Sequence, residues 1–458
     1  MSLRQIVASS IMGVAAQGMS RLLANLAVGR IGGVDSVGQI GTISAVAFTA
    51  ALLGPTALGA ALSKFVAHAQ GREDENAEQA ISTGLLTRAA LLTAALASGV
   101  ACWIGLTLGM REVIPALVMT LGACGYAITR PWCFVQRRSS EGVIIEVAAG
   151  VLGVVGACGL ALLGVTGGWV LVPQGAGLIF YALYFFPRLE RRWMPIGREA
   201  SEFVALGTAA GLASSGVFQG TILFARLDGG VKAAGLAASA FSISTPLSFI
   251  ASAVTSALYP RLAISVGAGE GVAAQTLAQR ASSALASVLC PLFLMISWFA
   301  PELMTIVWGR EFVPAAVMVP PMVTAILATS MAAPQVALLT AKSRGGVRLS
   351  AMTSVGGTVL GVILWAAAYR MPGSQPQLIA WGYLLSMALT AIAAVLLTMG
   401  SALSAVVPIV AASTGVLLAP VVRSLLPGPL LEMMAGLIIG VGASVLGAIS
   451  SRRLLSTW

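Results

Sequence analysis

Charged residues are scarce in this chain: Asp, Glu, Lys and Arg together make up only 9% of its 458 residues. Soluble domains carry about 25% of these residues. Hydrophobic residues reach 58%, and the mean hydropathy is +0.93. This composition excludes an ordinary soluble globular protein and is typical of an integral membrane protein.

The residue types that hold metals or act as nucleophiles are also few. There is one histidine, His68, and five cysteines without the CxxC spacing of metal or redox sites. The sequence contains no GxSxG, HExxH or P-loop motif. We therefore predict no metal site and no cofactor, and we expect a protein that is not an enzyme.

The chain is basic, with 26 Lys and Arg against 16 Asp and Glu and a net charge of +10. Its basic residues lie between apolar segments and are not gathered with aromatic residues into a patch. This distribution indicates membrane topology and excludes nucleic acid as the expected partner.

Fourteen apolar segments are long enough to cross a bilayer, which requires about 20 residues per helix. We interpret the first as a retained spanning helix, because the apolar core of a secretory signal is shorter. The connections leave no room for a soluble catalytic domain. The predicted segments are 5–29, 38–62, 80–107, 113–135, 143–164, 167–187, 201–224, 233–258, 281–307, 313–340, 349–369, 377–399, 403–425 and 430–450.

The basic residues predict the orientation of these segments. With the N-terminus inside, 18 of them lie on the inner side, seven lie on the outer side, and Arg21 falls within the first segment. By the positive-inside rule, both termini are expected in the cytoplasm. The expected location is the bacterial inner membrane.

An internal repeat relates the two halves of the chain. Gly38 and Gly235 each begin an apolar segment, and 26 residues later each is followed by a basic residue, Lys64 or Arg261. The offset is 197 residues. Six segments separate the two copies, so both copies cross the membrane in the same direction.

The repeat predicts the fold class and the domains. We expect an all-α membrane protein of about 14 transmembrane helices, built from two parallel six-helix lobes and a C-terminal helix pair. The lobes are residues 1–195 and 196–402, and the pair with its cytoplasmic tail is 403–458. Such repeats in secondary transporters hold substrate between them and expose it to each side alternately.

Three stretches resemble a known family: "GPTALGAALSKFVAHAQGRED" (54–74), "FARLDGGVKAAGLAASAFSISTPLSFIASAVTSALYPRLAISVGAGE" (224–270) and "APELMTIVWGREFVPAAVMV" (300–319). They are similar to Wzx-type polysaccharide flippases of the multidrug/oligosaccharidyl-lipid/polysaccharide exporter (MOP) superfamily. The resemblance covers roughly residues 1–400. It implies flipping of undecaprenyl-pyrophosphate-linked oligosaccharide from the cytoplasmic to the outer leaflet for surface polysaccharide synthesis.

The resemblance also implies partners: a lipid-linked anionic saccharide, membrane lipids, and a polysaccharide polymerase with glycosyltransferases. A chain with two lobes is expected to function as a monomer. Two alternatives stay open, a cation-coupled multidrug exporter of the same superfamily and a lipid II flippase. The C-terminal helix pair resembles the arrangement of lipid II flippases, but residues 17–33 lack the N-terminal pattern expected of them. The absence of an acid from the first segment disfavours the drug exporter.

Arg21 is the leading candidate for substrate binding. It lies within the first segment, with Gln17 and Asn25 one helical turn away on the same face. An arginine in the middle of a membrane costs about 2.5–3.5 kcal/mol on insertion scales, so it requires a wet cavity or a partner. Its paired donors suit a pyrophosphate.

Arg130 is the second candidate, just before Pro131 in the fourth segment. Glu146 in the fifth segment is the only acid well inside the N-terminal lobe. It would either neutralise Arg130 or bind a coupling proton.

Arg30 and Arg226 complete the substrate-binding candidates, and Asp228 is a further ion-pair or coupling candidate. They lie at the outer ends of the first and seventh segments, before Gly32–Gly33 and Gly229–Gly230. We expect an outer gate or an exposed ion-pair cluster there, with each Gly-Gly pair forming a hinge or a turn.

Overall fold

The computed structural model describes residues 3–71, 75–136, 138–186, 197–246, 248–342, 344–370, 376–399 and 403–426. These residues are almost entirely helical and contain no β-strand, which confirms the predicted all-α class. The α-helices are α1 (Leu3–Leu52), α2 (Pro55–Gly71), α3 (Glu75–Thr107), α4 (Val113–Val135), α5 (Ser139–Leu162), α6 (Val172–Phe185), α7 (Arg198–Gly211), α8 (Val217–Ser244), α9 (Ser248–Gly267), α10 (Gly271–Trp298), α11 (Ala300–Leu303), α12 (Val319–Lys342), α13 (Arg344–Tyr369), α14 (Pro376–Met399) and α15 (Leu403–Ser424).

Nine helical stretches of the described residues are long and apolar enough to cross a membrane. Many of their large apolar side chains are exposed on the protein surface, among them Leu106, Leu162 and Leu183. Water would penalise such a surface, whereas lipid chains would cover it. The chain is therefore a multi-pass membrane protein.

The chain divides into two compact units, residues 1–238 and 239–458, and the division falls within α8. The lobe boundary predicted at residue 195 lies outside the described residues, as does the predicted final segment, 430–450. The three-part domain division therefore stays a prediction.

In unit 1, α1 packs along α5, α4 packs against α6 and α2, and α5 packs against α6. Its core joins Ile40 and Ile43 of α1 to Met119 and Ala123 of α4. In unit 2, α12 is the central helix, buried along most of its length and packed against α9, α10 and α14. Helix α15 packs on α10, α12 and α14 and so belongs to unit 2.

The first predicted segment and most of the second lie in one kinked helix, α1, and the second segment continues after a turn at Leu53–Gly54 into α2. Inside α1, Gly33 breaks the helical path with φ 71° and ψ −171°. Inside α8, 197 residues later, Gly230 has nearly the same conformation, φ 72° and ψ −159°. Side chains other than glycine rarely adopt this positive φ. The turn therefore requires glycine, and it repeats at the offset that the sequence predicts.

Beyond the two turns, α1 and α8 cross at small residues within unit 1. A Cβ on Gly38 would overlap the Val231 carbonyl oxygen, and a Cβ on Gly235 would overlap the Val34 carbonyl oxygen. Val34 and Val231 are themselves 197 residues apart, so each repeat copy makes the same contact with the other. Glycine at both positions allows the helix backbones to approach closely, as small residues do in other membrane helices.

We expect Gly38→Ala to lower the free energy of unfolding by about 1–3 kcal/mol, because the new methyl group meets backbone and not a movable side chain. Gly235→Ala should have the same effect. Gly356→Ala is the matched control, since nothing lies within 4 Å of that position. Thermal unfolding in detergent measures the effect. Equal midpoints for Gly38→Ala and Gly356→Ala would show that the close crossing is absent.

In unit 2, Arg423 holds the end of α15 to the end of α10 and to α11. Its Nη1 donates 2.8 Å hydrogen bonds to the Trp298 carbonyl oxygen and to Glu302 Oε2. Its Nη2 donates to Glu302 Oε1. The arginine lowers the pKa of the Glu302 carboxyl below its ordinary value of 4.5.

We expect Arg423→Gln to cost roughly 1 kcal/mol of stability at pH 7, since the pair is partly exposed. Because the folded pKa of Glu302 is depressed, the stabilisation is present above pH 4.5 and is lost as the pH falls through the folded pKa. Thermal midpoints of the unmodified and Arg423→Gln proteins should therefore converge below pH 4.5. Arg310→Gln, at an exposed arginine of the same unit, is the control. A midpoint difference that persists unchanged at low pH would contradict the assignment.

Candidate functional site

Arg21 lies deep within the first half of α1. It is 12 residues before the turn at Gly33, which is about 18 Å along an α-helix. The hydrocarbon core of a bilayer is about 30 Å thick. With the turn at one membrane surface, this distance places Arg21 near the middle of the membrane.

The partner of Arg21 is an aromatic ring. Its Cζ lies 4.4 Å from the centroid of Phe48, in the second half of α1. The kink at Gly33 folds the two halves of α1 back on each other, and this brings the two side chains together. A cation–π contact of this kind orients the guanidinium but does not neutralise it.

Within the described part of the chain, no carboxylate forms an ion pair with Arg21. One turn away, Gln17 is half-buried and Asn25 is buried. The predicted trio therefore consists of one uncompensated charge between two neutral polar residues. Such a group can offer donors to an anion from a single helix face.

Arg130 has a different environment. Its Nε donates a 2.8 Å hydrogen bond to Glu146 Oε1, and the Tyr126 hydroxyl donates a 2.6 Å hydrogen bond to the same oxygen. Glu146 is only 3% exposed. Its other oxygen lies directly against Gly13 of α1, where a Cβ would overlap it.

Glu146 thus joins three helices of unit 1: α1 through Gly13, α4 through Arg130 and Tyr126, and α5, which carries it. Of the two roles considered for Glu146, the structure contains the pairing with Arg130. The ion pair offsets the charge of Arg130, whereas no carboxylate in the described ranges offsets the charge of Arg21. The two arginines are therefore not equivalent sites for an anion.

The remaining predicted residues lie near the two glycine turns. Arg30 is exposed, and Asp228 is half-buried. Both take part in further interactions within the protein. Arg226 is half-buried and faces an apolar pocket, and its Nη1 is buried with no hydrogen-bond partner among the described residues.

Phe48, Tyr126 and Glu112 were not among the predicted site residues. Tyr126 is four residues before Arg130, so helical periodicity could have placed both on one face of α4. Phe48 carries no comparable signal in the sequence. Glu112 is buried and accepts a 2.7 Å hydrogen bond from the Gly168 N–H, so it joins the turn before α4 to the turn before α6.

No group of three or more His, Cys, Asp and Glu side chains in the described part of the chain could hold a metal ion. Arg21, Gln17 and Asn25 offer a positive charge and hydrogen-bond donors that could bind an anion.

The sequence matches no protein-family model, and no curated protein is similar to it. Solved structures are similar in fold. The inward-facing conformation of a multidrug resistance MATE family transporter of the MOP superfamily is 15% identical, with a TM-score of 0.59 over 89% of this chain and 99% of that one. A MATE structure in the straight conformation is 15% identical, with a TM-score of 0.58 over 90% and 96%.

An outward-facing conformation of a multidrug resistance MATE family transporter is also similar, at 13% identity and a TM-score of 0.54, over 89% of this chain and 95% of that one. At these identities the likeness concerns the fold. The matched structures are transporters, and they include both inward-facing and outward-facing states. The chain is therefore an all-helical membrane protein with the two-lobe fold of the MATE transporters of the MOP superfamily.

Proposed function

We propose that this protein flips a lipid-linked anionic saccharide, an undecaprenyl-pyrophosphate oligosaccharide, from the cytoplasmic to the outer leaflet by alternating access. The carrying observation is the guanidinium of Arg21 in α1, which forms no ion pair with a carboxylate of the described residues. A positive charge within a membrane helix is costly unless it meets an anion or water. A pyrophosphate supplies the oxygen acceptors that match the planar fork of arginine.

The surroundings of Arg21 support an anionic substrate over a cationic one. The first acid of the chain is Asp35, beyond the turn at Gly33, so the first half of α1 carries no carboxylate. Drug exporters of the superfamily often have an acid in this helix for ion coupling. Glu146, a buried acid where described parts of α1, α4 and α5 meet, accepts hydrogen bonds from Arg130 and Tyr126.

The membrane potential favours the proposed direction. An inside-negative potential contributes about 2.3 kcal/mol per charge per 100 mV to an anion that moves outward. A dianion that crosses the whole field would therefore gain roughly 4–5 kcal/mol per 100 mV. This contribution could drive transport without a coupling ion, although the empty carrier would still need to return.

Multidrug export is the second candidate, because the similar solved structures include multidrug resistance transporters. Proteoliposomes distinguish the two functions. One set of proteoliposomes contains a fluorescent undecaprenyl-pyrophosphate saccharide, and its transfer between leaflets is followed by bleaching the dye in the exposed leaflet. A second set is used to measure uptake of ethidium, a cationic drug, under a proton or sodium gradient.

We expect flipping of the lipid-linked saccharide above the rate of protein-free liposomes, and no ethidium transport above that background. The reverse result would favour the drug exporter and contradict the proposal. A lipid II arm, with the saccharide replaced by the peptidoglycan precursor, tests the remaining alternative.

A further inference from the structure

A pocket of 480 Å³ lies within unit 1, between α1, α3 and the first half of α8. Its volume is within the range of about 300–1,000 Å³ that is usual for small-molecule sites. Its walls are almost wholly apolar. Residues that line it include Val46, Leu53, Leu96, Trp103, Leu223 and Arg226.

Among the described residues that line the pocket, Arg226 alone is charged. Its Nη1 is buried, and no described residue accepts a hydrogen bond from it. A buried guanidinium nitrogen without an acceptor is costly in an apolar environment. A ligand with an anionic oxygen on the pocket side of the guanidinium would offset this cost through its charge.

The rim of the pocket identifies the rest of the ligand. Leu53, Trp103 and Leu227 line the pocket and are exposed on the protein surface. In a membrane protein, an exposed apolar surface of this kind faces the lipid chains. A free phosphate would leave the apolar walls uncovered, and a neutral apolar molecule would leave Arg226 without an acceptor. The charge and the walls together require an amphiphile with an anionic head.

We infer that this pocket binds an anionic phospholipid of the membrane, with the headgroup phosphate at Arg226 and an acyl chain along Leu96 and Trp103. Arg21, the proposed substrate residue, is not among the residues that line this pocket. The inference does not depend on whether the protein flips saccharides. It assigns Arg226, a sequence-predicted substrate residue, to a resident lipid.

Trp103 provides a local reporter of occupancy. The purified full-length protein in a neutral detergent is titrated with phosphatidylglycerol carrying brominated chains, which quench nearby tryptophan. Brominated phosphatidylcholine, with the same chains and no net charge, is the second arm. The fluorescence difference between the unmodified protein and Trp103→Phe isolates the signal from the pocket.

We expect saturable quenching of Trp103 by phosphatidylglycerol, at an affinity at least about tenfold higher than that of phosphatidylcholine. Arg226→Gln should reduce the affinity for phosphatidylglycerol to that for phosphatidylcholine. Gly99 lines the pocket and has open space around it, so a leucine there would fill part of the pocket. Gly99→Leu should therefore weaken the binding of both lipids while leaving Arg226 in place. Arg310→Gln and Gly356→Leu are the matched controls for charge and for bulk, and neither should change the titration.

Equal quenching by the two lipids would overturn the inference, as would unchanged phosphatidylglycerol binding in both Arg226→Gln and Gly99→Leu. An excess of inorganic phosphate should not displace the lipid. Displacement by phosphate alone would show an anion site without a lipid and would also overturn the assignment. If Arg226→Gln does not fold, Gly99→Leu still gives the deciding comparison.

Discussion

Replacing Arg21 by alanine should slow flipping of an undecaprenyl-pyrophosphate saccharide by about 100-fold. The loss corresponds to about 2.7 kcal/mol, which is within the range for removal of a charge-assisted hydrogen bond to an anion. The expected size of this loss in flipping rate follows from the environment of Arg21. The guanidinium contacts the ring of Phe48, and no carboxylate among the described residues forms an ion pair with it.

Arg21→Lys separates the charge from the geometry of the guanidinium. Lysine keeps the positive charge but loses the planar pair of donors. We expect flipping at a rate between those of the unmodified protein and Arg21→Ala. Arg310→Gln, which removes an exposed arginine from unit 2, should leave the rate unchanged. The assay uses liposomes with equal amounts of folded protein, and an Arg21→Ala rate equal to that of the unmodified chain would make Arg21 a structural residue.

Replacing Glu146 should have the largest effect on stability. Glu146→Leu would leave the partly buried Arg130 without its carboxylate and would remove the acceptor of the Tyr126 hydroxyl. Breaking a buried ion pair on one side typically costs about 3–5 kcal/mol. Thermal or denaturant unfolding in detergent should show this loss, whereas Glu311→Gln, at an exposed acid, should show little change.

The double variant Arg130→Met with Glu146→Leu tests whether the pair is structural. Two apolar residues of similar volume often replace a buried ion pair at little cost. We therefore expect the double variant to recover most of the stability that Glu146→Leu loses. It should also retain flipping, because the proposed anion site is Arg21. A double variant that is stable but does not flip would assign Arg130 or Glu146 a direct part in transport.

Local features of the sequence were sufficient to predict much of the fold. Long apolar stretches require helices in a membrane, because every backbone group must find a partner within the segment. The Gly-Gly pairs marked both sharp turns, and Gly33 and Gly230 share one backbone conformation at the predicted offset. The connection after Arg30 was harder to predict, because the chain turns at one residue, Gly33, and α1 continues on both sides of it.

The pairing within the candidate site could not be derived in the same way. Arg130 and Glu146 lie on different helices, and their contact depends on how α4 and α5 are rotated and shifted against each other. The same holds for Arg21 and Phe48, which meet only because α1 folds back at Gly33. The pocket at Arg226 requires three helices to leave a space. Side-chain packing determines these contacts and the pocket, and the hydropathy pattern of the sequence does not predict that packing.

Binding of a prenyl pyrophosphate to the purified protein tests the central claim most directly. The ligand is farnesyl pyrophosphate, and farnesol is the comparison without the anion. The titration is made in the Arg226→Gln background, so that the inferred lipid site does not contribute. We predict that the pyrophosphate binds at least about 100-fold more tightly than the alcohol, and that Arg21→Ala removes this preference. Equal preference for the pyrophosphate with and without Arg21 would contradict the assignment of Arg21 as the anion site.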